Sequence, residues 1–167
     1  MDSIYHHSLF HRVPMSYNRF VLLLKCWHFA NNEGQDGTRT YKIRPLLNMM
    51  MQRTKDLYKP GDTVVVDETM IPFRGRLSFR QYNPSKASRY GIKLYKVCTP
   101  EGFTYSTSIY DGKSEKLPDL DLPGSTVVNL TRDLFGEGRL IITDNYYTSL
   151  HLAKYLYNKK NQLDRYR

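Results

Sequence analysis

Apolar residues recur at helical spacing twice within the first sixty positions. Phe20, Leu23, Leu24, Trp27 and Ala30 fall on one face of a helix that Ser16 can cap and that runs to about Asn31. Ile43, Leu46, Leu47, Met50 and Leu57 repeat the pattern over about Lys42 to Tyr58, where Pro45 suits the first turn better than the interior. The Met49–Met51 run reads as core filler. Between the two helices, NNEGQDGTRT is polar and glycine-rich, a loop.

After the turn Lys59-Pro60-Gly61-Asp62 the period changes from helical to extended. Thr63 to Asp67 is continuous enough in Val to predict a strand buried on both faces. Gly91 to Thr99 and Phe103 to Tyr110 alternate on either side of Pro100-Glu101-Gly102, the pattern of a hairpin. A polar loop with Pro118 and Pro123 follows, then a helix from Ser125 to Phe135, which Ser125 caps and Gly136 and Gly138 end. Arg139 to Thr143 reads as a short buried strand and Ser149 to Lys159 as a helix with Leu150, Leu152, Ala153 and Leu156 apolar. A hairpin followed by alternating helices and strands predicts an α/β chain, a mixed sheet with flanking helices preceded by two N-terminal helices. The order matches the first part of a ribonuclease H-like fold, in which the first and fourth predicted strands lie side by side. The division is then 1–60, helical, and 61–167, an incomplete ribonuclease H-like domain.

Composition narrows the class. At 167 residues, 40% hydrophobic and rich in Tyr, the chain has room for one real core. Its longest apolar runs are far too short for a membrane span, and MDSIYHHSLFHRVP is not built like a signal peptide. Cys26 and Cys98 are far apart in apolar stretches; they allow a disulfide, but read better as buried thiols in a reducing compartment. No CxxC or Cys/His spacing suggests zinc.

Charge adds more. The net charge of +9 favours an acidic partner such as nucleic acid. From Thr69 to Pro100 there is no acidic residue, while Arg74, Arg76, Arg80, Lys86, Arg89, Lys93 and Lys96 all fall inside that window. It begins just after Asp67, the residue that ends the VVVD run. A second aspartate, Asp144, ends the LIITD run. Two carboxylates at adjacent strand ends can hold divalent metal, and hard oxygen ligands suit Mg²⁺ or Mn²⁺. Glu68 would point to the other face of a continuing strand, which suits a salt bridge to a basic neighbour better than a shared metal. Asn145 either orients Asp144 or caps the next helix. Arg74, Arg76, Arg80, Lys86, Arg89 and Lys93 suit phosphate contacts. Tyr82 and Tyr90 either pack the loop onto the sheet or stack on unpaired bases. Gly75 and Gly91 answer backbone demands.

Four pieces resemble the piggyBac-type transposases and their transposable-element-derived relatives, in the family's order and over most of the chain: SYNRFVLLLKCWHFANN, KIRPLLNMMMQR, PGDTVVVDETMIPFRGRLSFRQYNPSKASRYGIKLYKVC and LIITDNYYTSLHLAKYL. The third is long and specific. The resemblance implies a DDE-type, ribonuclease H-like catalytic domain that cuts and rejoins DNA at TTAA targets with Mg²⁺ or Mn²⁺. It carries the family's first two catalytic, metal-holding aspartates onto Asp67 and Asp144. It implies DNA as partner, a homodimer or a full-length relative as protein partner, and a nuclear location. Residues 1–60 would correspond to part of the family's DNA-binding and dimerisation region.

The family's further aspartate lies well downstream of the second. Here the only later acid is Asp164, placed too soon after the last helix to return to the sheet edge. Glu115 and Glu137 match nothing in the family pattern. The expectation is a fragment with two of three carboxylates that is inactive alone, or a domesticated DNA-binding protein without catalysis.

Overall fold

Local signals set most element ends. The computed structural model describes residues 15–34, 37–84, 86, 88–112 and 116–165; the first fourteen residues and Glu115 lie outside them. Ser16 accepts the Arg19 amide (3.4 Å) and opens α1 (Tyr17–Cys26), which ends at the extended Trp27 rather than near Asn31. Pro45 lies in the first turn of α2 (Arg44–Leu57). Neither helix buries a residue: Leu23, Leu24, Trp27, Met49, Met50 and Leu57 are exposed. Their apolar spacing does mark one helical face, but that face is not the core. The methionine run is therefore not core filler. α2 is tethered by Lys55, which pairs with Asp133.

The sheet supplies the frame. Its strands are β1 (Thr63–Pro72), β2 (Gln81–Tyr82), β3 (Tyr90–Cys98), β4 (Thr104–Ile109), β5 (Leu140–Thr143) and β6 (Gln162–Arg165). The order is β2-β3-β1-β5-β6, with β4 paired to β3. The β3–β4 hairpin turns at Gly102, whose φ of 92° needs glycine. The β3–β4 register shifts between Val97 and Cys98, leaving Tyr105 as an extra residue that points into the core. β1 runs antiparallel to β3 and parallel to β5, and β5 runs parallel to β6. The sheet is thus mixed, and the strands predicted as first and fourth are neighbours.

Only one face of β1 is sealed. Val64 and Val66 are buried, whereas Val65 is half-buried, so the expected burial on both faces is corrected. The sealed face packs Val97, Ile141 and Tyr147 against α3 (Leu122–Thr131) and α4 (Leu150–Asn158), through Val127, Val128, Leu152 and Leu156. α3 starts three residues earlier than its predicted Ser125. Asp121 caps it by accepting the Gly124 amide (2.9 Å), and Pro123 fits the first turn. Ser125 is instead buried, accepting from the Leu117 amide and donating to the Asp121 carbonyl. α4 opens at Ser149, but its Leu150 is exposed. Both cysteines are free, and Cys26 is exposed rather than buried. No helix of the described residues is long and apolar enough to cross a membrane.

Two interactions fasten the ends of the β1–β5 pair. At the start, Arg139 is 5% exposed and donates to the carbonyls of Gly61 (2.9 Å) and Pro60 (3.2 Å), while it pairs with Glu137 (2.6 Å). At the other end lie Tyr95, Tyr110, Tyr146 and Tyr147, with ring centroids 5.1 to 6.4 Å apart for the contacting pairs. Burial, then the neighbouring Tyr146, Tyr110 and Glu68, push the Tyr95 phenol up to about 12.

Arg139→Met is expected to cost about 2–4 kcal/mol, because it strands buried carbonyls and removes a charged donor. The measurement is the urea midpoint at constant m; an unchanged midpoint refutes the clamp. The Tyr95 shift has a sign as well. The unfolded phenol ionises near 10.0 while the folded one keeps its proton to about 12. Its contribution is complete below pH 10 and is lost as the pH climbs towards 12. Urea midpoints followed from pH 9 to 12 should therefore fall less steeply in Tyr95→Phe than in wild type. Equal slopes would acquit Tyr95.

Candidate active site

The parallel β1–β5 ladder aligns Thr63 with Leu140, Val64 with Ile141, Val65 with Ile142 and Val66 with Thr143. The next residue on each strand is an aspartate. Asp67 and Asp144 therefore emerge side by side at the end of the β1–β5 ladder, and both are exposed. Each turns one carboxylate oxygen onto its own chain: Asp67 Oδ1 accepts the Glu68 amide (2.7 Å) and Asp144 Oδ1 the Asn145 amide (2.6 Å). The Asp144 carbonyl accepts the Tyr147 amide (3.0 Å), the Thr148 amide (3.2 Å) and the Thr148 hydroxyl (3.0 Å), which closes the 144–148 turn. Among the described residues neither carboxylate forms an ion pair, in a chain of net charge +9.

Strand alternation separates Glu68 from Asp67. Glu68 points to the sealed face, where Tyr147 donates to its Oε2 (2.8 Å) and Lys86 pairs with its Oε1 (3.6 Å). The expected salt bridge to a basic neighbour is present. Burial, with the hydrogen bond to Glu68 next, drives the Tyr147 phenol far above its ordinary range. Asn145 does not cap the following helix; Ser149 does, accepting the Leu152 amide (3.2 Å). Asn145 Oδ1 instead accepts from Arg165 Nη1 (3.1 Å).

Asp164 departs from expectation. The chain reverses directly after α4, with Lys160 at φ 58°, and the Gln162 amide donates to the Arg139 carbonyl (2.9 Å). Asp164 thus returns to the sheet on β6, in register with Ile142. The tight reversal removes the length that sequence reasoning required. Asp164 shares the sheet face of Val65 and Ile142 but sits two residues short of the Asp144 level. Its Oδ1 accepts the Arg165 amide (2.7 Å). No group of three or more acidic, His or Cys side chains suited to a metal exists among the described residues.

The basic window lies beside the acidic pair with its cations differently employed. Arg74, Arg76 and Arg89 are exposed, and Arg74, Ser88, Arg89 and Tyr90 line a cavity of about 340 Å³. Arg80 is also exposed, but its Nη1 donates to the carbonyls of Arg74 (3.0 Å) and Gly75 (3.2 Å) and its guanidinium lies 5.1 Å from the Tyr90 ring centre. Lys86 pairs with Glu68, and Lys93 sits 5.0 Å from the Tyr95 ring and 5.8 Å from that of Tyr146. Tyr82 and Tyr90 are cross-strand partners with centroids 4.8 Å apart, so they pack on each other. At Gly91 a Cβ would lie 2.3 Å from the Ile71 carbonyl oxygen, so the β1–β3 approach requires glycine there. Sequence reasoning missed Lys96 as a site residue. It is in register with Asp67 and on the same face. Only the strand register, which no local motif states, reveals it. Tyr147 and Arg165 were missed for the same reason.

The chain is similar to known proteins. The transposase IS4 family model matches residues 2–163. Human PiggyBac transposable element-derived protein 3 is 26% identical over 164 residues, covering 93% of this chain and 27% of that protein. Human PiggyBac transposable element-derived protein 2 is 29% identical over 148 residues, covering 85% and 25%. A cryo-EM structure of a piggyBac transposase synaptic complex with hairpin DNA superposes with a TM-score of 0.83 at 28% identity, covering 98% of this chain and 36% of that one. The chain thus spans about a quarter to a third of these relatives. With the match running nearly end to end, the chain belongs to the transposase IS4 family and is a piggyBac-type transposase-like protein.

Proposed function

We propose that this chain is a portion of a piggyBac-type transposase catalytic unit with a ribonuclease H-like sheet, acting on nuclear DNA, in which Asp67 and Asp144 hold Mg²⁺ or Mn²⁺. The observation that carries this reading is the Val66–Thr143 register, which makes the two aspartates neighbours. The donor set fits such an ion: carboxylate oxygens, exposed, without cationic partners among the described residues. When bound, the ion supplies positive charge at a phosphodiester and activates an attacking oxygen. The protein's own part is to present the DNA. Arg74, Arg76 and Arg89 contact phosphates from exposed positions; Arg80, Lys86 and Lys93 add charge while also shaping the loop. The solved relative is a complex with hairpin DNA, which supports DNA as the partner.

Two carboxylates fall short of the ligand set of a two-metal centre. The chain by itself is therefore proposed to bind DNA without efficient cutting, the behaviour a domesticated DNA-binding protein would share. Binding should weaken with salt, and Arg74→Ala or Arg76→Ala should each reduce the slope of log K against log salt by about 1. Asp144→Asn should leave that slope alone. No binding at low salt refutes the DNA reading. Strong Mg²⁺-dependent cleavage, abolished in Asp67→Ala, refutes the absence of cutting.

A further inference from the structure

The 144–148 turn that carries Asp144 is bonded largely to itself. Its long-range anchors are therefore informative. One is the Arg165–Asn145 hydrogen bond, at an exposed position. A second is Lys93, 5.8 Å from the Tyr146 ring centre. The most buried is Tyr147, 1% exposed, whose ring meets Tyr95 edge-on at 6.4 Å and whose hydroxyl donates to Glu68. Glu68 directly follows Asp67. A part-buried hydrogen bond thus joins the residue after the first aspartate to a residue three beyond the second.

Alternation makes this possible. Asp67 faces the open side of the sheet, so Glu68 is driven to the sealed side, where a carboxylate is tolerated only with donors. Tyr147 supplies one, and Lys86 adds an ion pair at 3.6 Å. If the 144–148 turn slid along β1, a buried phenol would lose its acceptor and a largely covered carboxylate its hydrogen-bond donor, so the bond resists that motion. Lys86 belongs to the basic window, so the same carboxylate also fastens the loop assigned to phosphate.

We propose that Glu68 and Tyr147 form a brace that fixes the turn bearing Asp144 against the strand bearing Asp67, with Lys86 tying the basic loop to the same point. Both are positioning residues; neither touches the metal. The metal side of this inference rests on the proposed function, whereas the brace itself does not.

The test uses the whole chain in two measurements. Hydrogen exchange across residues 144–148 reads the brace without metal. Tyr147→Phe keeps the ring and loses the hydroxyl, so exchange there should quicken about tenfold while far-UV circular dichroism stays unchanged. Glu68→Ala should match it, and Glu68→Gln, which still accepts from Tyr147, should stay close to wild type. Wild-type exchange in Tyr147→Phe, or equal effects of Gln and Ala at position 68, overturns the brace. Mn²⁺ binding by electron paramagnetic resonance then reads its consequence. Affinity should drop at least fivefold in Tyr147→Phe and vanish in Asp144→Asn. Unchanged Mn²⁺ affinity in Tyr147→Phe overturns the positioning role. If wild type binds no Mn²⁺, the metal reading and the positioning role fall together, while the exchange result still decides the brace.

Discussion

The parallel pairing of β1 with β5 is the constraint on which the rest depends. The two strands are separated by a hairpin and a helix, and nothing local holds them together. Four registered pairs do so, from Thr63 with Leu140 to Val66 with Thr143. The ladder is short, and its ends are fastened by unlike means: Arg139 grips the backbone entering β1, and Tyr147 donates to the Glu68 carboxylate on β1. A slip of one residue would turn every side chain of β1 to the opposite face. Val64 and Val66 would leave the core and Glu68 would leave its donors. Hydrophobic and polar contacts thus enforce the same register, and that register puts Asp67 next to Asp144.

What the sequence disclosed follows the range of each interaction. Ser16 and Ser149 cap helices, Gly102 turns a hairpin, and the Val run makes a strand, because each depends on a few adjacent residues. The start of α3 went astray at short range too. Asp121-Leu-Pro is a good helix opening, but in sequence Pro123 serves equally as loop punctuation. Longer-range features were less legible. β6 has four residues and little apolar content, and it exists because β5 offers it an edge. β2 has two residues and owes its form to β3. The aspartates could be picked out from their motifs, whereas Lys96 opposite Asp67 depends on the long-range β1–β3 register.

The apolar faces of α1 and α2 teach a related point. Helical spacing of apolar residues specifies a face, and it does not say which surface the face meets. The α3–α4 layer already fills the sealed side of the sheet, and Leu23, Leu24 and Trp27 stay exposed. The core belongs to one side of β1. The side carrying Asp67, Asp144 and Lys96 is the more open one.

That asymmetry explains how a chain of net charge +9 keeps two carboxylates without cationic partners among the described residues. Cations near the site have other contacts: Lys86 with Glu68, Lys93 over Tyr95 and Tyr146, and Arg80 with the carbonyls of its own loop. Each such contact commits a positive charge to another partner instead of letting it collapse onto Asp67 or Asp144. A collapsed pair would be weakly stabilising at an exposed position and would block the oxygens from any other cation. Adjacent residues of opposite orientation divide the work. Glu68 takes the lysine on the covered face, and Asp67, on the open one, has no ion pair among the described residues.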